Sequence, residues 1–563
     1  MNKFIELEYT RPNFSEIKRE LKEQTKALDN SGNYNSAKSA ILAVEKIQSS
    51  LATQYSIAYI RNTCDTSDQF YEEEIAFFDK NLPTLIGYEK KYTEVLLGSM
   101  YRPDLENEYG TQMFDTAEAD EILQSKKIMF DLIAENNLKT KYNKVAASCK
   151  TEFNGEECNF YGLLRYMENP DRSVRKKAYE AWSALYENVS AELDKIFDQL
   201  VALRIKITKK LGLKSYTEYS YLSMHRLDYT PDDVASFREQ VVNVIVPVCK
   251  KLRDNQKKRL GVDKLRYYDE ALTFKEGNPT PNASTAYMLG YAKDMYHNLS
   301  PETGEFFDYM LEHQLFDLET RPSKHLGGYC TMLPDYKAPF VFSNFNGTSA
   351  DVDVLTHECG HAFQYYLAAR CQPFEALCNS TSEINEIHSM SMEFFTYPWM
   401  NRFFGAESAK YRYSHMCDAL MVIPYLTCVD EFQHIIYERP VLNAAERRSL
   451  WHELEQKYMP WRDYDGNEFL EGGGFWMQKQ HIFLYPFYYI DYALAQICTF
   501  ELCGKMKTDF KSAWADYLTL CKAGGSLGYR QLLTLANLTC PFDNGAVLKA
   551  ITPIVKEIAA YNG

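Results

Sequence analysis

Residues 355–364 read LTHECGHAFQ: two histidines four apart, His357 and His361, a glutamate, Glu358, beside the first, and a glycine, Gly360, inside a stretch of otherwise helical character. On a helix, positions i and i+4 share one face with Cβ atoms about 5–6 Å apart, so both imidazoles can reach one metal ion. Glu358 stands one residue round. In this H-E-x-x-H pattern the imidazoles bind zinc at roughly 2.0–2.1 Å and the glutamate polarises the water in the open coordination position. Chance does not account for it, since 11 histidines and 77 acidic residues among 563 predict fewer than about 0.03 matches. His452-Glu453 is an internal control: Gln456 stands where the second histidine is needed, and the pair reads as surface.

A catalytic zinc takes three protein ligands and keeps one position open, so a third ligand must follow. The carboxylates available are Glu375, Glu383, Glu386 and Glu393. The segment CNSTSEINEIHSMSMEFF opens with Ser380-x-x-Glu383, a pattern that makes Glu383 a helix cap. Glu386 then lies one turn inside and Glu393 two turns further on the same face; spacing leaves both open. His388 points to another face and reads as structural. Gly360 costs roughly 1 kcal/mol against alanine in a helix interior, which predicts a close approach by another backbone. Cys359 reads either as a thiol open to oxidation or as a buried inert one.

Upstream, GGYCTMLPDYKAPFVFSNFNG (327–347) sets aromatic and β-branched residues between Gly, Pro and Asn-Gly punctuation, which predicts a small hairpin and a partner for Gly360. Its residues 338–343 offer an edge for an extended substrate, with Phe340 as a contact. Thr348-x-x-Asp351 then reads as the capping box of the histidine helix. Downstream, GGGFWMQKQHIFLYPFYYIDYALAQ (472–496) spaces His481, Tyr485, Tyr488 and Tyr492 by 4, 3 and 4, one helical face if a helix runs through Pro486. Phenol and imidazole donors suit the oxyanion that develops in acyl transfer. Gly472, Gly473 and Gly474 read as a mobile loop, either a plain connection or one that covers the substrate.

The 26 glycines and 20 prolines make about 8% of the chain against a usual sum of roughly 12%, which favours long helices. Runs such as SAKSAILAVEKIQSSLATQYSIAYI, with Ile41, Val44, Ile47 and Leu51 at helical spacing, and the segment from Asp171 to Gly212 agree. Pro231 after Thr230 and Pro301 after Ser300 mark further helix starts. A chain of 563 residues exceeds the size of one growing core, so two or more substructures are expected. The net charge of −15 argues against nucleic acid. The opening MNKFIELEYTRPNF lacks a signal peptide's apolar run and no segment has the roughly 18 apolar residues of a membrane span, so a cytoplasmic protein without membrane contact is expected. Fourteen cysteines without a CxxC suggest reduced, mostly buried thiols.

His357-Glu358-Cys359-Gly360-His361, followed 25 residues later by Glu386 in E-I-H-S-M-S-M-E, resembles the thimet oligopeptidase and oligoendopeptidase F family of zinc metallopeptidases. DYKAPFVFSNFNGTSADVDVLTHECGH, AGGSLGYRQLLTLANLTCPFDNG and MENPDRSVRKKAYEAW are similar to segments of the same family, so the likeness runs from about residue 160 to 545. It implies a mainly α, multi-helix zincin with a deep substrate channel and a small sheet beside the zinc helix. Residues 1–150 would form part of the channel wall and 151–563 the catalytic region. It implies one Zn2+ per chain on His357, His361 and Glu386, with Glu393 orienting a ligand. It also sets a histidine and tyrosines opposite the zinc: His481 and Tyr492 first, Tyr488 or Tyr489 next, Tyr485 last. The expected activity is internal cleavage of short unstructured oligopeptides, with Glu358 activating water. One rival is a zinc carboxypeptidase of related helical fold, which needs a fixed Arg or Lys for the terminal carboxylate. The other is an inactive zinc-containing peptide-binding protein, against which Glu358 and the three-ligand set speak.

Overall fold

The apolar spacing of the long runs is realised as helix in the computed structural model, which describes residues 1–282 and 284–561. Helix α1 (Tyr34–Cys64) buries Ile41 and Val44 on one stripe. Helix α2 (Arg172–Leu211) starts on Asp171, whose carboxylate accepts from the Ser173 N–H, and ends on Gly212 at φ +75°, a left-handed cap that suits glycine. Pro231 and Pro301 each open a helix behind a hydroxyl cap, Thr230 and Ser300. The fold is mainly α, and none of the described helices is long and apolar enough to cross a membrane. All fourteen cysteines are free thiols, ten of them buried.

Strands β1 (Thr151–Phe153) and β2 (Glu156–Cys158) make a small antiparallel hairpin that composition did not reveal. The predicted hairpin is β4 (Tyr329–Leu333) and β5 (Ala338–Phe345), joined through a turn with Lys337 at φ +49°. A third strand, β3 (Phe316–Glu319), pairs in parallel with β5, so the order is β3-β5-β4. This corrects the expected substrate edge: both sides of β5 are occupied, and the free edge nearest the histidines belongs to β4. Phe340 is 2% exposed and packs on Phe4 with centroids 4.6 Å apart. It lies across from Thr331, on the opposite sheet face from Cys330 and Met332, and is core rather than a substrate contact.

Helix α3 (Ala350–Cys371) carries the H-E-x-x-H stretch and packs along α4 (Ser382–Phe395), which carries the candidate third ligand. Gly360 makes that packing possible. A Cβ there would stand 2.6 Å from the Ser389 Cα and 2.7 Å from the His388 carbonyl, so the close neighbour is α4 and not the hairpin. Asp351 does tie down the start of α3, but it accepts from the N–H groups of Asn346 and Gly347, at 3.0 and 2.7 Å, rather than closing a box with Thr348. The cap of α4 is Thr381; Glu383 is 1% exposed, and burial raises its carboxyl while Arg226 opposes the shift. The glycine triplet is no loose loop: Gly473 sits at φ +86° with its Cβ position 2.0 Å from the Arg448 carbonyl, and both Gly473 and Gly474 are buried.

Candidate active site

Helical repeat and the Gly360 contact bring three side chains to one point. His357 Nε2 is 3.3 Å and His361 Nε2 3.6 Å from Glu386 Oε2, and the donor atoms of all three lie within 4.8 Å of one another. A tetrahedral ion with bonds of 2.0–2.1 Å holds its ligand atoms roughly 3.3–3.4 Å apart, so the spacing and the N, N, O donor set fit a zinc-like metal. Burial raises the Glu386 carboxyl, but His361 and His357 outweigh it and hold the group at about 2, an anion facing the two rings. Burial lowers His361 to about 4 and leaves it a neutral donor. Ser389 Oγ donates to Glu386 Oε2 at 3.0 Å and fixes the rotamer.

The other edge of His357 explains the second glutamate. Its Nδ1 lies 2.6 Å from Glu393 Oε1, and Glu393 Oε2 lies 2.7 Å from His415 Nε2 on the helix α5 (Ser408–Met421). His415 Nδ1 in turn meets the Tyr397 hydroxyl at 2.5 Å. Burial lowers His415, but Glu393 and Asp353 push it up to about 9. Glu393 thus holds His357 with Nε2 turned to the metal position, a carboxylate–histidine arrangement that raises ligand basicity. His415 carries no local sequence signal; only its burial among charged partners marks it.

A cavity of about 300 Å3 opens at the triad, bounded by Glu358 and Asn385 and, on the free-edge strand, by Cys330 and Met332. Burial raises the Glu358 carboxyl to about 7, which suits a group that takes and returns a proton near neutral pH. Cys359 is fully buried and burial pushes its thiol well up, so it is an inert neighbour. His388 is equally buried, within 3.4 Å of the Cys521 sulfur, and belongs to the packing.

The aromatic stretch does not run as one helix. Helix α6 (Gln480–Leu484) stops before Pro486, and α7 (Ile490–Thr508) starts afresh, so the 4, 3, 4 spacing does not make one face. Tyr488 and Tyr492 reach the cavity: the Tyr488 hydroxyl donates to Glu386 Oε1 at 3.2 Å and lies 3.4 Å from the Tyr492 hydroxyl. Burial pushes both phenols up, so both remain neutral donors. Tyr485 is 59% exposed and leaves the site. His481 is stacked behind Tyr488, centroids 5.8 Å apart, and does not line the cavity; burial and then Lys479 lower it to about 4. Tyr489 turns away toward Tyr425 and Lys479.

Comparison with known proteins supplies the relationship. A family model described as peptidase family M3 matches residues 165–551, and a peptidase M3 N-terminal domain model matches residues 4–122. The chain is 22% identical over 525 residues to oligopeptidase PepF of Bacillus subtilis, covering 86% of this chain and 75% of that protein. Over 553 residues it is 23% identical to the group B oligopeptidase PepB of Streptococcus agalactiae, covering 90% and 88%. The solved structure of Pz peptidase A with an inhibitor superposes with a TM-score of 0.94 at 45% identity over the full length of both chains. A peptidase family model over most of the chain, laid on a partly buried His-His-Glu group beside a glutamate, makes this protein a member of peptidase family M3 and a metallopeptidase.

Proposed function

We propose that the protein is a zinc-dependent endopeptidase that cuts internal bonds of short, unstructured oligopeptides. The observation that carries the reading is the convergence of His357, His361 and Glu386 beside an uncommitted Glu358. When bound, zinc supplies Lewis acidity to a water molecule and to the scissile carbonyl. Glu358 takes the proton from that water and passes it to the leaving amine. Tyr488 and Tyr492 donate to the oxyanion, and His481 backs Tyr488 from behind rather than donating itself. The free edge of β4 receives the extended substrate backbone.

The preference for oligopeptides draws on the relatives PepF and PepB, whose names say oligopeptidase. Residues 1–150 form one wall of the substrate channel and 151–563 carry the chemistry. In support, the α1 residue Thr63 meets the hydroxyl of Tyr329 in β4 at 2.5 Å, and Tyr59 packs on the same ring. Metal analysis tests the reading: purified protein is expected to hold one zinc per chain, to lose it in Glu386→Ala, and to regain peptidase activity on zinc addition after chelation. Activity that survives full removal of metal would overturn it.

A further inference from the structure

Gln478, Lys479 and Gln480, at the start of α6, line a second cavity of about 600 Å3. Six rings line it, Tyr142, Phe160, Trp182 and Tyr186 among them, and it carries the amides of Asn143 and Gln478. Leu326, on the loop that leads into β4, forms part of its wall and links it to the strand that borders the metal cavity. Among the described residues lining it there is no carboxylate, and Lys479 is the one charged group.

The chain has 77 acidic residues against 62 lysines and arginines, and among the described residues its buried cations meet carboxylates, as Lys324 meets Asp317 and Arg226 meets Asp491; Arg61 and Arg259, partly buried like Lys479, meet only hydroxyl and backbone oxygens. The Lys479 ammonium instead stands over the rings of Tyr489, at 4.5 Å, and Tyr425, at 5.6 Å. Those ring faces steady a cation without neutralising it. Burial draws its pKa down to about 8, so the fold keeps an incompletely solvated positive charge at some cost to stability. The groups facing it are neutral near pH 7: His481, lowered to about 4, and the phenols of Tyr425 and Tyr489, both pushed up by burial. A lone cation on an aromatic, carboxylate-free wall is a receptor for an anion that arrives with the ligand.

We propose that this cavity is a subsite for a carboxylate of the peptide substrate, with the Lys479 ammonium as its anchor. The inference rests on the peptidase reading above and adds to it a charge requirement in the substrate. A peptide supplies such a group from its C-terminus or from an Asp or Glu side chain. The rings take the neighbouring side chains, and a chain end held here fixes how far from that end the metal cavity meets the backbone.

The test uses the metal-loaded full chain and matched peptides: free acid against C-terminal amide, and an internal Glu against Gln. For the wild type one pair is expected to differ by about 10- to 100-fold in kcat/KM, mainly through KM, as for a charged hydrogen-bonded contact of a few kcal/mol. Lys479→Met and Lys479→Gln are expected to bring the acid down to the value of the amide and leave the amide unchanged, whereas Lys479→Arg keeps the preference. Which pair responds identifies the source of the carboxylate. Calorimetric binding of the same peptides to Glu358→Gln reads the anchor without turnover. An acid preference in binding that Lys479→Met abolishes, with no hydrolysis by the wild type, would keep the anchor and reject the endopeptidase. If neither pair distinguishes wild type from the Lys479 variants in turnover or binding, the subsite is wrong. A second readout separates anchoring from a structural role: Lys479→Met is expected to raise Tm at pH 7, the gain shrinking as pH rises above about 8, whereas a structural lysine would lower Tm on removal.

Discussion

The two walls of the metal cavity are built by different means. On one side α3 and α4 lie side by side, and each functional group follows from the helical repeat: His357 to His361 at i+4, Glu386 and Glu393 two turns apart on one face. On the other side the aromatic stretch is broken at Pro486, with Phe487 at φ +66°, and its side chains scatter: two tyrosines into the cavity, one histidine behind them, one tyrosine into solvent. Periodicity is a reliable guide where hydrogen bonding is continuous and fails where a proline resets the phase. The comparison predicts that substitutions on the helical wall act on metal and chemistry, whereas those on the broken wall fall into sharply unequal classes despite their equal spacing.

The largest effect is expected at Glu358. Glu358→Gln should lower kcat by about 10²- to 10⁴-fold while zinc stays bound, because it removes the proton acceptor and no ligand. Loss of zinc together with activity would place Glu358 among the ligands and blur the division of labour on this wall.

Next comes the broken wall itself. Tyr488→Phe and Tyr492→Phe should each cost about 10- to 10³-fold in kcat with little change in KM, while Tyr485→Phe, at an exposed position, should leave both unchanged. Equal losses at all three would restore the single helical face that the structure denies.

The helical wall can be broken without touching a ligand. Gly360→Ala drives a methyl into the Ser389 backbone and is expected to cost about 1–3 kcal/mol of stability and to weaken zinc binding by separating Glu386 from the histidines. His415→Ala should weaken zinc binding about 10- to 100-fold by freeing Glu393, read by chelator competition. Unchanged affinity there would make the Glu393–His415 contact mere packing.

Lys479, away from both walls, is expected to give a gain in stability rather than a loss. Its folded-state pKa near 8 lies below the ordinary lysine value, so the charged form costs stability: the penalty is complete below pH 8 and fades as pH climbs toward 10.5. Lys479→Met should therefore gain about 1–3 kcal/mol at pH 7 by denaturant titration, and little near pH 10.5.

The same contrast explains how much could be read from residues alone. The histidine helix α3, the long α2 with its Asp171 and Gly212 ends, and the β4–β5 hairpin are local patterns, and they are found where spacing put them. Contacts between distant segments left no local trace. The parallel strand β3 that fills the edge of β5 ends at Glu319, well before β5 begins at Ala338. The neighbour of Gly360 was expected in the hairpin because only chain proximity was visible, whereas α4 supplies it. His415 comes 22 residues after Glu393 with no motif between them. Glu383 looked like a cap because Ser380 precedes it by three, but Thr381 starts the helix and the carboxylate is buried toward Arg226.

The most direct test of the account is a product map. Peptides of about five to thirty residues are incubated with wild type, with Glu358→Gln and with wild type plus chelator, and the fragments are identified by mass spectrometry. Internal cuts in the shorter peptides, absent in both controls, are the predicted result. Residues released one at a time from the C-terminus, or no cleavage although zinc is bound, would contradict it.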